Sequence, residues 1–162
     1  MKNIIGNHRK YKSRFSFGST SAIITNLGLI AGLHSEVNAK VGIISGILVI
    51  AIADNISDSF GIHIFQESES KNKREIWLST FTNFMIRLLV SLTFVALLAF
   101  LPMKIAIISS IAWGLLLLAY ISYIIALDEE KNPFTSVVTH VLIALAVASA
   151  SNVIGDFILR RF

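Results

Sequence analysis

The sequence predicts an all-α integral membrane protein with five transmembrane helices, and three observations lead to that prediction. Hydrophobic residues make up 54% of the 162 residues and charged residues only 15%, whereas soluble domains average about 25% charged residues. The apolar residues are gathered into five long runs. The charged residues are bunched in the short segments between those runs. A bundle of helices surrounded by lipid accounts for all three observations.

Each of the five apolar runs is long enough to cross a bilayer. The runs cover residues 15–33, 39–66, 77–101, 103–127 and 133–159. A helix needs about 20 residues to cross the hydrocarbon core, and each run supplies about that number. The second run is longer than required, so we expect its last turns to project beyond the membrane face.

The connections between the runs are short and polar, and Pro102 and Pro133 lie at run boundaries, where a missing N–H costs least. None of these connections is long enough to form a separate domain. We therefore expect a single transmembrane domain over residues 15–162, preceded by a basic cytoplasmic tail over residues 1–14.

The distribution of Lys and Arg predicts the orientation in the membrane. Nine of these residues flank the runs on the side of the N-terminus, five of them within the tail, and four flank the runs on the opposite side. The N-terminus is therefore predicted to be cytoplasmic, with a prokaryotic cytoplasmic membrane as the expected location. Despite the net charge of +4, we expect no nucleic-acid partner, because no folded basic face accompanies the tail.

Several classes of function are disfavoured by what the sequence lacks. It has no cysteine, which excludes disulfides and thiolate chemistry. It also lacks the zinc-protease, nucleophile-elbow and phosphate-loop motifs. We therefore expect a protein that is not an enzyme and that holds no permanently bound cofactor.

The stretch AIADNISDSFGIHIF (51–65) places two carboxylates inside the second run. Asp54 and Asp58 are four residues apart and share one face of the helix. Counting back from Gln66 at 1.5 Å per residue puts Asp54 roughly 18 Å from the cytoplasmic end, close to the middle of the bilayer. An ionised carboxylate there costs at least about 2.5 kcal/mol, so something must compensate for it.

Two interpretations of this pair remain open and do not exclude each other. In the first, the aspartates bind a divalent metal ion, with further oxygen ligands from nearby polar residues. These are Asn55 and Ser57 in the second run and Ser21, Thr25 and Asn26 in the first. In the second, Arg87 of the third run, at matched depth, forms an ion pair with the aspartates or gates the site.

Two histidines and two groups of small residues complete the candidate features. His140 is a possible proton relay, although a hydrogen-bonded structural role is favoured, and His63 is expected to be a packed or interfacial residue. The G-x-x-x-G of Gly42 and Gly46, and the stretch ALAVASAS (144–151), suit close helix contacts within the bundle or in a dimer.

Three stretches resemble the vacuolar iron transporter (VIT) family. They are FGSTSAIITNLGLIAGL (17–33), ADNISDSFGIH (53–63) and NPFTSVVTHVLIALAVASASNVIGDFI (132–158), which look like the first, second and last helices of that family. The resemblance covers nearly the whole chain in order and is most specific in the second helix. It implies a five-helix homodimer that exports or sequesters ferrous iron or manganese in exchange for protons.

The match is incomplete at the metal-binding positions. Asp54, Ser57 and Gly61 keep the residue type of the family motif. The family's first-helix aspartate falls on Ser21, its methionine on Asp58 and its glutamate on Ile62. The cytoplasmic metal-collecting segment is reduced to ESESKNKRE (67–75), and Arg87 has no counterpart. The sequence therefore predicts a divalent-metal transporter with an altered site, and a VIT-like scaffold that has lost transport is the alternative.

Overall fold

The computed structural model describes residues 2–36, 38–69 and 71–162, with side chains from residue 18 onward, and this part of the chain contains five α-helices and no strand. The helices are α1 (Lys2–Leu33), α2 (Ala39–Ser68), α3 (Lys73–Phe100), α4 (Met103–Asp128) and α5 (Pro133–Arg161). The prediction of an all-α protein is confirmed.

The helices end close to the predicted boundaries but extend beyond the apolar runs on one side of the bundle. α3 begins at Lys73, four residues before its apolar run, and α1 begins at Lys2, within the predicted tail. The basic side chains of that tail lie outside the described residues. Helical hydrogen bonding can continue beyond the apolar residues of a run, so α1 and α3 begin with polar turns that lie outside the predicted spans.

An asparagine side chain caps the N-terminus of both α3 and α5. The side chain of Asn72 accepts a hydrogen bond from the backbone N–H of Arg74. Asn132 accepts from the N–H groups of Phe134 and Thr135. Each asparagine thus satisfies backbone donors that a helix start leaves unpaired, and Pro133 follows at the first helical position.

The end of α4 is closed by a Schellman turn. The N–H of Lys131 donates to the carbonyl of Ala126, and the N–H of Glu130 donates to that of Leu127. Glu130 adopts φ 57° in this turn, a left-handed conformation in which glycine is the usual residue. The turn reverses the chain into α5.

α1 is the central helix of the bundle, since it contacts all four other helices. α2 packs mainly along α3, and α5 packs on α1 and α4. Neighbouring helices in the chain run in opposite directions, so α1, α3 and α5 are parallel to one another. The apolar core is built around Ile23, Leu27 and Ile30 of α1, with contributions from every other helix.

Glycines bring α1 and α5 into close contact. A Cβ atom on Gly155 would lie only 1.9 Å from the carbonyl oxygen of Gly32, and one on Gly28 would lie 3.1 Å from the Ser151 hydroxyl. Gly28 and Gly32 form a G-x-x-x-G that our sequence analysis did not single out. Ser151, by contrast, belongs to the predicted small-residue stretch, one face of which packs against α1 while residues 145, 146, 149 and 150 are exposed.

The outer surface is apolar, as expected for helices surrounded by lipid. Large hydrophobic side chains such as Ile108, Leu116 and Val153 are more than half exposed. Among the described residues, α2, α3, α4 and α5 are long and apolar enough to span a membrane, and Gly18–Leu33 of α1 forms a shorter apolar helix. These are the features of a multi-pass membrane protein.

Candidate functional site

A polar seam joins residues 55–66 of α2 to residues 79–87 of α3. Gln66 donates to Ser79 at 2.9 Å, and Asn83 donates to Ser59 at 3.0 Å. Arg87 donates to Asn55 at 2.7 Å. From one of these hydrogen bonds to the next, the residue number falls on α2 and rises on α3, so the two helices are antiparallel.

The seam exists because α3 presents a polar residue at every fourth position. Ser79, Asn83, Arg87 and Ser91 are each buried on the face that meets α1 and α2. Ser91 extends the seam onto α1, where its hydroxyl accepts a hydrogen bond of 3.0 Å from Asn26. Buried polar groups in a membrane protein need partners within the bundle, and each of these four residues makes a hydrogen bond across a helix interface, although Oδ1 of Asn83 has no hydrogen-bond partner among the described residues.

Arg87 is the centre of the candidate site, and only 1% of its side chain is exposed. Its Nη2 lies 2.6 Å from Oδ2 of Asp54, and its Nη1 lies 2.5 Å from Oδ2 of Asp58. Nη1 also donates to the Ser21 hydroxyl at 2.7 Å, and Nε donates to the Asn55 amide oxygen. One guanidinium therefore ties α3 to both α1 and α2.

The charges of the cluster do not cancel completely. Two carboxylates and one guanidinium leave a net charge of −1 when all three groups are ionised. The side chains of Asp54 and Asp58 are 44% and 39% exposed, whereas Arg87 is enclosed. The guanidinium is thus inside the bundle, and the two carboxylates lie at the margin of the bundle beside α1.

The structure brings only part of the predicted metal-ligand set together. Asp54, Asp58, Asn55 and Ser21 all contact Arg87. Within the part of the chain described, no three His, Cys, Asp or Glu side chains form a group able to hold a metal ion.

Two of the other three predicted ligands, Ser57 and Asn26, lie on other faces of their helices. Ser57 is exposed on the outer face of α2, and Thr25 is half-buried on α1. Asn26 is buried, but it faces Ser91 on α3. The rotation of each helix, which hydropathy does not fix, separates Ser57 and Asn26 from the aspartates.

Asn83 packs directly against Gly18 of α1. A Cβ atom on Gly18 would lie 2.7 Å from Oδ1 of Asn83 and 3.3 Å from Cγ of Arg87. The absence of a side chain at Gly18 therefore allows α1 to approach the seam closely enough for Ser21, three residues on, to reach Arg87.

The two candidate histidines lie away from the cluster. Nδ1 of His140 lies 2.8 Å from the Ser122 hydroxyl of α4. Nδ1 of His63 lies 3.1 Å from the Thr80 hydroxyl, and its ring stacks on Phe60. His63 is thus packed, as expected. His140 forms the hydrogen bond expected of a structural histidine, and a role in proton relay is still a prediction.

Sequence reasoning missed most of the seam. Asn83, Ser91 and Ser79 were not considered, although their spacing of four residues around Arg87 is visible in the sequence. That spacing in an otherwise apolar helix is the signal that would have found them, because residues four apart share one helix face.

Comparison of the chain with models of protein families, with curated proteins and with solved structures finds no match. The similarity to the VIT family therefore remains a prediction from the quoted motifs.

Proposed function

We propose that this chain is a membrane-embedded scaffold protein in which Arg87 serves as a fixed counter-ion for Asp54 and Asp58. The observation that supports this function best is that one buried guanidinium contacts both carboxylates. In this proposal the cluster holds α1, α2 and α3 together, and no enzymatic reaction is assigned to it.

The position of Arg87 works against a divalent cation at the same place. Its two Nη atoms already contact Oδ2 of Asp54 and Oδ2 of Asp58, and its positive charge would repel a second cation strongly in a low-dielectric interior. Asn55 and Ser21 direct their oxygens at the guanidinium as well. Four of the seven predicted oxygen ligands therefore contact a cation that the protein itself supplies.

The proposal includes a bilayer-spanning role for α1 and a cytoplasmic N-terminus. α1 contacts all four of the other helices, so a bundle whose outer helices cross the membrane would carry α1 across with them. The excess of Lys and Arg on the side of the N-terminus supports the orientation. Five spans then place the C-terminus on the opposite side.

A homodimer is also part of the proposal. Ala53, Ser57 and Gly61 are spaced four residues apart on α2, and all three are exposed beside the half-exposed aspartates. Nothing lies within 4 Å of a Cβ built on Gly61. Small residues at this spacing let two membrane helices approach closely, and a second copy would shield the carboxylates from lipid.

The absence of native cysteines makes this dimer easy to test by disulfide cross-linking. A Ser57→Cys variant in native membranes should form a disulfide-linked dimer on oxidation. Leu116→Cys, on the exposed face of α4, is the matched control and should stay monomeric. Equal cross-linking at both positions would contradict an interface on α2.

Divalent-metal transport is the second candidate function, and the exposure of the aspartates favours it. Both carboxylates are reachable from outside the bundle, and the cluster has two acidic side chains to one basic side chain, an excess that would attract a cation. The resemblance to the VIT family points the same way. In this case ferrous iron or manganese would be the cargo, and Arg87 would have to leave at least one carboxylate for the ion to bind.

A flux assay in proteoliposomes separates the two candidates. The scaffold proposal predicts that wild-type protein moves Mn²⁺ no faster than empty liposomes, with or without a proton gradient. Transport predicts a flux that is lost in Asp54→Asn and kept in the matched variant Asp156→Asn near the end of α5. A flux with that dependence on Asp54 would overturn the scaffold proposal.

A further inference from the structure

A second feature lies on the lipid-facing side of α2 and α3, away from the Arg87 cluster. It is an outward-open groove of about 330 Å³. Ile56 and Phe60 of α2 form one wall, and Trp77, Phe81 and Phe84 of α3 form the other. We refer to it below as the aromatic groove.

The aromatic groove offers no strong polar recognition. Its two hydroxyl groups are engaged by the protein, since Ser59 accepts a hydrogen bond from Asn83 and Thr80 donates to the carbonyl of Ile76. A buried polar ligand would leave its own hydrogen-bonding groups unpaired here. The walls therefore suit a hydrocarbon chain.

The shape of the groove follows the direction of a lipid chain. Trp77, Phe81 and Phe84 lie along one face of α3 and span roughly 10 Å of the helix axis. Trp77 is in the second turn of α3, at the level where aromatic residues mark the membrane interface. The groove thus descends from the interface into the apolar region of one leaflet.

Two exposed basic residues lie in the first turn of α3, one turn before Trp77 of the groove, in the same turn as the acidic Glu75. Lys73 is four residues before Trp77 and shares its helix face, and Arg74 follows it; both are exposed. Lys71, by contrast, forms an ion pair with Glu69. A phosphate group would be attracted to Lys73 and Arg74 at the level of the lipid headgroups.

We propose that the aromatic groove binds an acyl chain of an anionic phospholipid, with the lipid phosphate held by Lys73 and Arg74. The inference rests on α2 and α3 crossing the membrane and on the charges of Lys73 and Arg74. It does not depend on whether the Arg87 cluster is a scaffold or a transport site.

Tryptophan fluorescence tests this directly, because the chain has two tryptophans and one of them lines the groove. Trp113 lies on α4, where its indole N–H donates to Thr93 at 3.0 Å. Trp113→Phe leaves Trp77 as the only reporter, and Trp77→Phe leaves Trp113 as the matched control. Both variants are reconstituted into phosphatidylcholine vesicles that contain a small fraction of acyl-brominated lipid, which quenches tryptophan on contact.

Brominated phosphatidylglycerol and brominated phosphatidylcholine are compared at the same mole fraction. The expected result is that the anionic lipid quenches Trp77 at a lower mole fraction than the neutral lipid, and that Trp113 shows no such preference. Lys73→Gln should weaken the preference by roughly fivefold, the attraction of one basic residue to an anionic lipid. Lys104→Gln, at the start of α4, should leave it unchanged.

A variant that fills the groove tests the site of the acyl chain. Ile56→Phe should reduce quenching of Trp77 by the anionic lipid, whereas Leu116→Phe on α4 should not, and circular dichroism checks that both variants fold. Equal quenching of Trp77 by the two lipids would overturn the inference. A preference for the anionic lipid that is undiminished in Lys73→Gln, or that is equally strong at Trp113, would also overturn the inference.

Discussion

Nη2 of Arg87 lies 2.6 Å from Oδ2 of Asp54, which joins the middle of α3 to the middle of α2. The guanidinium is buried, whereas the carboxylate is 44% exposed. A buried charge without a partner is costly, so Arg87 needs these acceptors, and the two carboxylates need it as their counter-ion. The geometry of these contacts leads to the first prediction.

Replacing Arg87 by lysine should destabilise the protein although the charge is kept. A single ammonium group cannot contact Asp54, Asp58, Asn55 and Ser21 at once, as the planar guanidinium does. We expect a loss of about 1–2 kcal/mol in the free energy of unfolding, the cost of unpaired buried acceptors. Thermal unfolding in detergent, followed by circular dichroism, measures it. Lys104→Arg is the control for a basic residue outside the bundle core.

Gly155→Ala should separate α1 from α5. The added Cβ would meet the carbonyl oxygen of Gly32 at 1.9 Å, and a backbone atom cannot move aside without shifting the helix. We expect a destabilisation of about 2 kcal/mol. Gly42→Ala is the matched control, because its Cβ would meet only the flexible end of Glu36. If both variants unfold at the same temperature, the close α1–α5 contact is wrong.

Ser59 and Asn83 should be energetically coupled across the seam. A double-mutant cycle with Ser59→Ala and Asn83→Ala isolates the hydrogen bond of 3.0 Å between them. Interhelical hydrogen bonds in membrane proteins average about 0.6 kcal/mol, and we expect a coupling energy of that order. A cycle of Ser59→Ala with Thr93→Ala provides the control for distant sites and should give no coupling.

Glu130→Gly should stabilise the turn between α4 and α5. Glu130 has φ 57°, and a non-glycine residue in this left-handed region costs about 1 kcal/mol. Part of that gain is lost because glycine is more flexible in the unfolded chain, so we expect a net increase of about 0.5 kcal/mol. Glu129→Gly, at φ −92°, should be neutral or destabilising. A lower melting temperature for Glu130→Gly would contradict the Schellman turn.

Hydropathy in the sequence was sufficient to place the helices. The apolar runs begin and end within a few residues of α2, α4 and α5, because the breaks at Pro102 and Pro133 coincide with polar connections. The start of α3 was placed too late, since Lys73 and Arg74 belong to a helical turn outside the apolar region. Hydropathy reports contact with lipid, whereas helix ends are set by capping groups such as Asn72.

The candidate site was predicted only in part. The depth of Arg87 matched that of Asp54 and Asp58, which led to the ion-pair interpretation, and the structure places all three together. Ser57 and Asn26 could not be placed from the sequence. Polar residues in the apolar runs of α1 and α2 lie on more than one helix face, so the pattern there does not tell the lipid-facing side from the core-facing side, and packing decides the rotation of each helix.

The central claim is that Arg87 compensates for the charges of Asp54 and Asp58. The most direct test compares the free energy of unfolding of Arg87→Leu with that of the same variant carrying Asp54→Asn and Asp58→Asn as well. We predict that Arg87→Leu alone costs about 3 kcal/mol, because two carboxylates lose their counter-ion within the membrane, and that the triple variant recovers most of this loss. The claim would be contradicted if the triple variant were no more stable than Arg87→Leu, or if Arg87→Leu were as stable as the wild type.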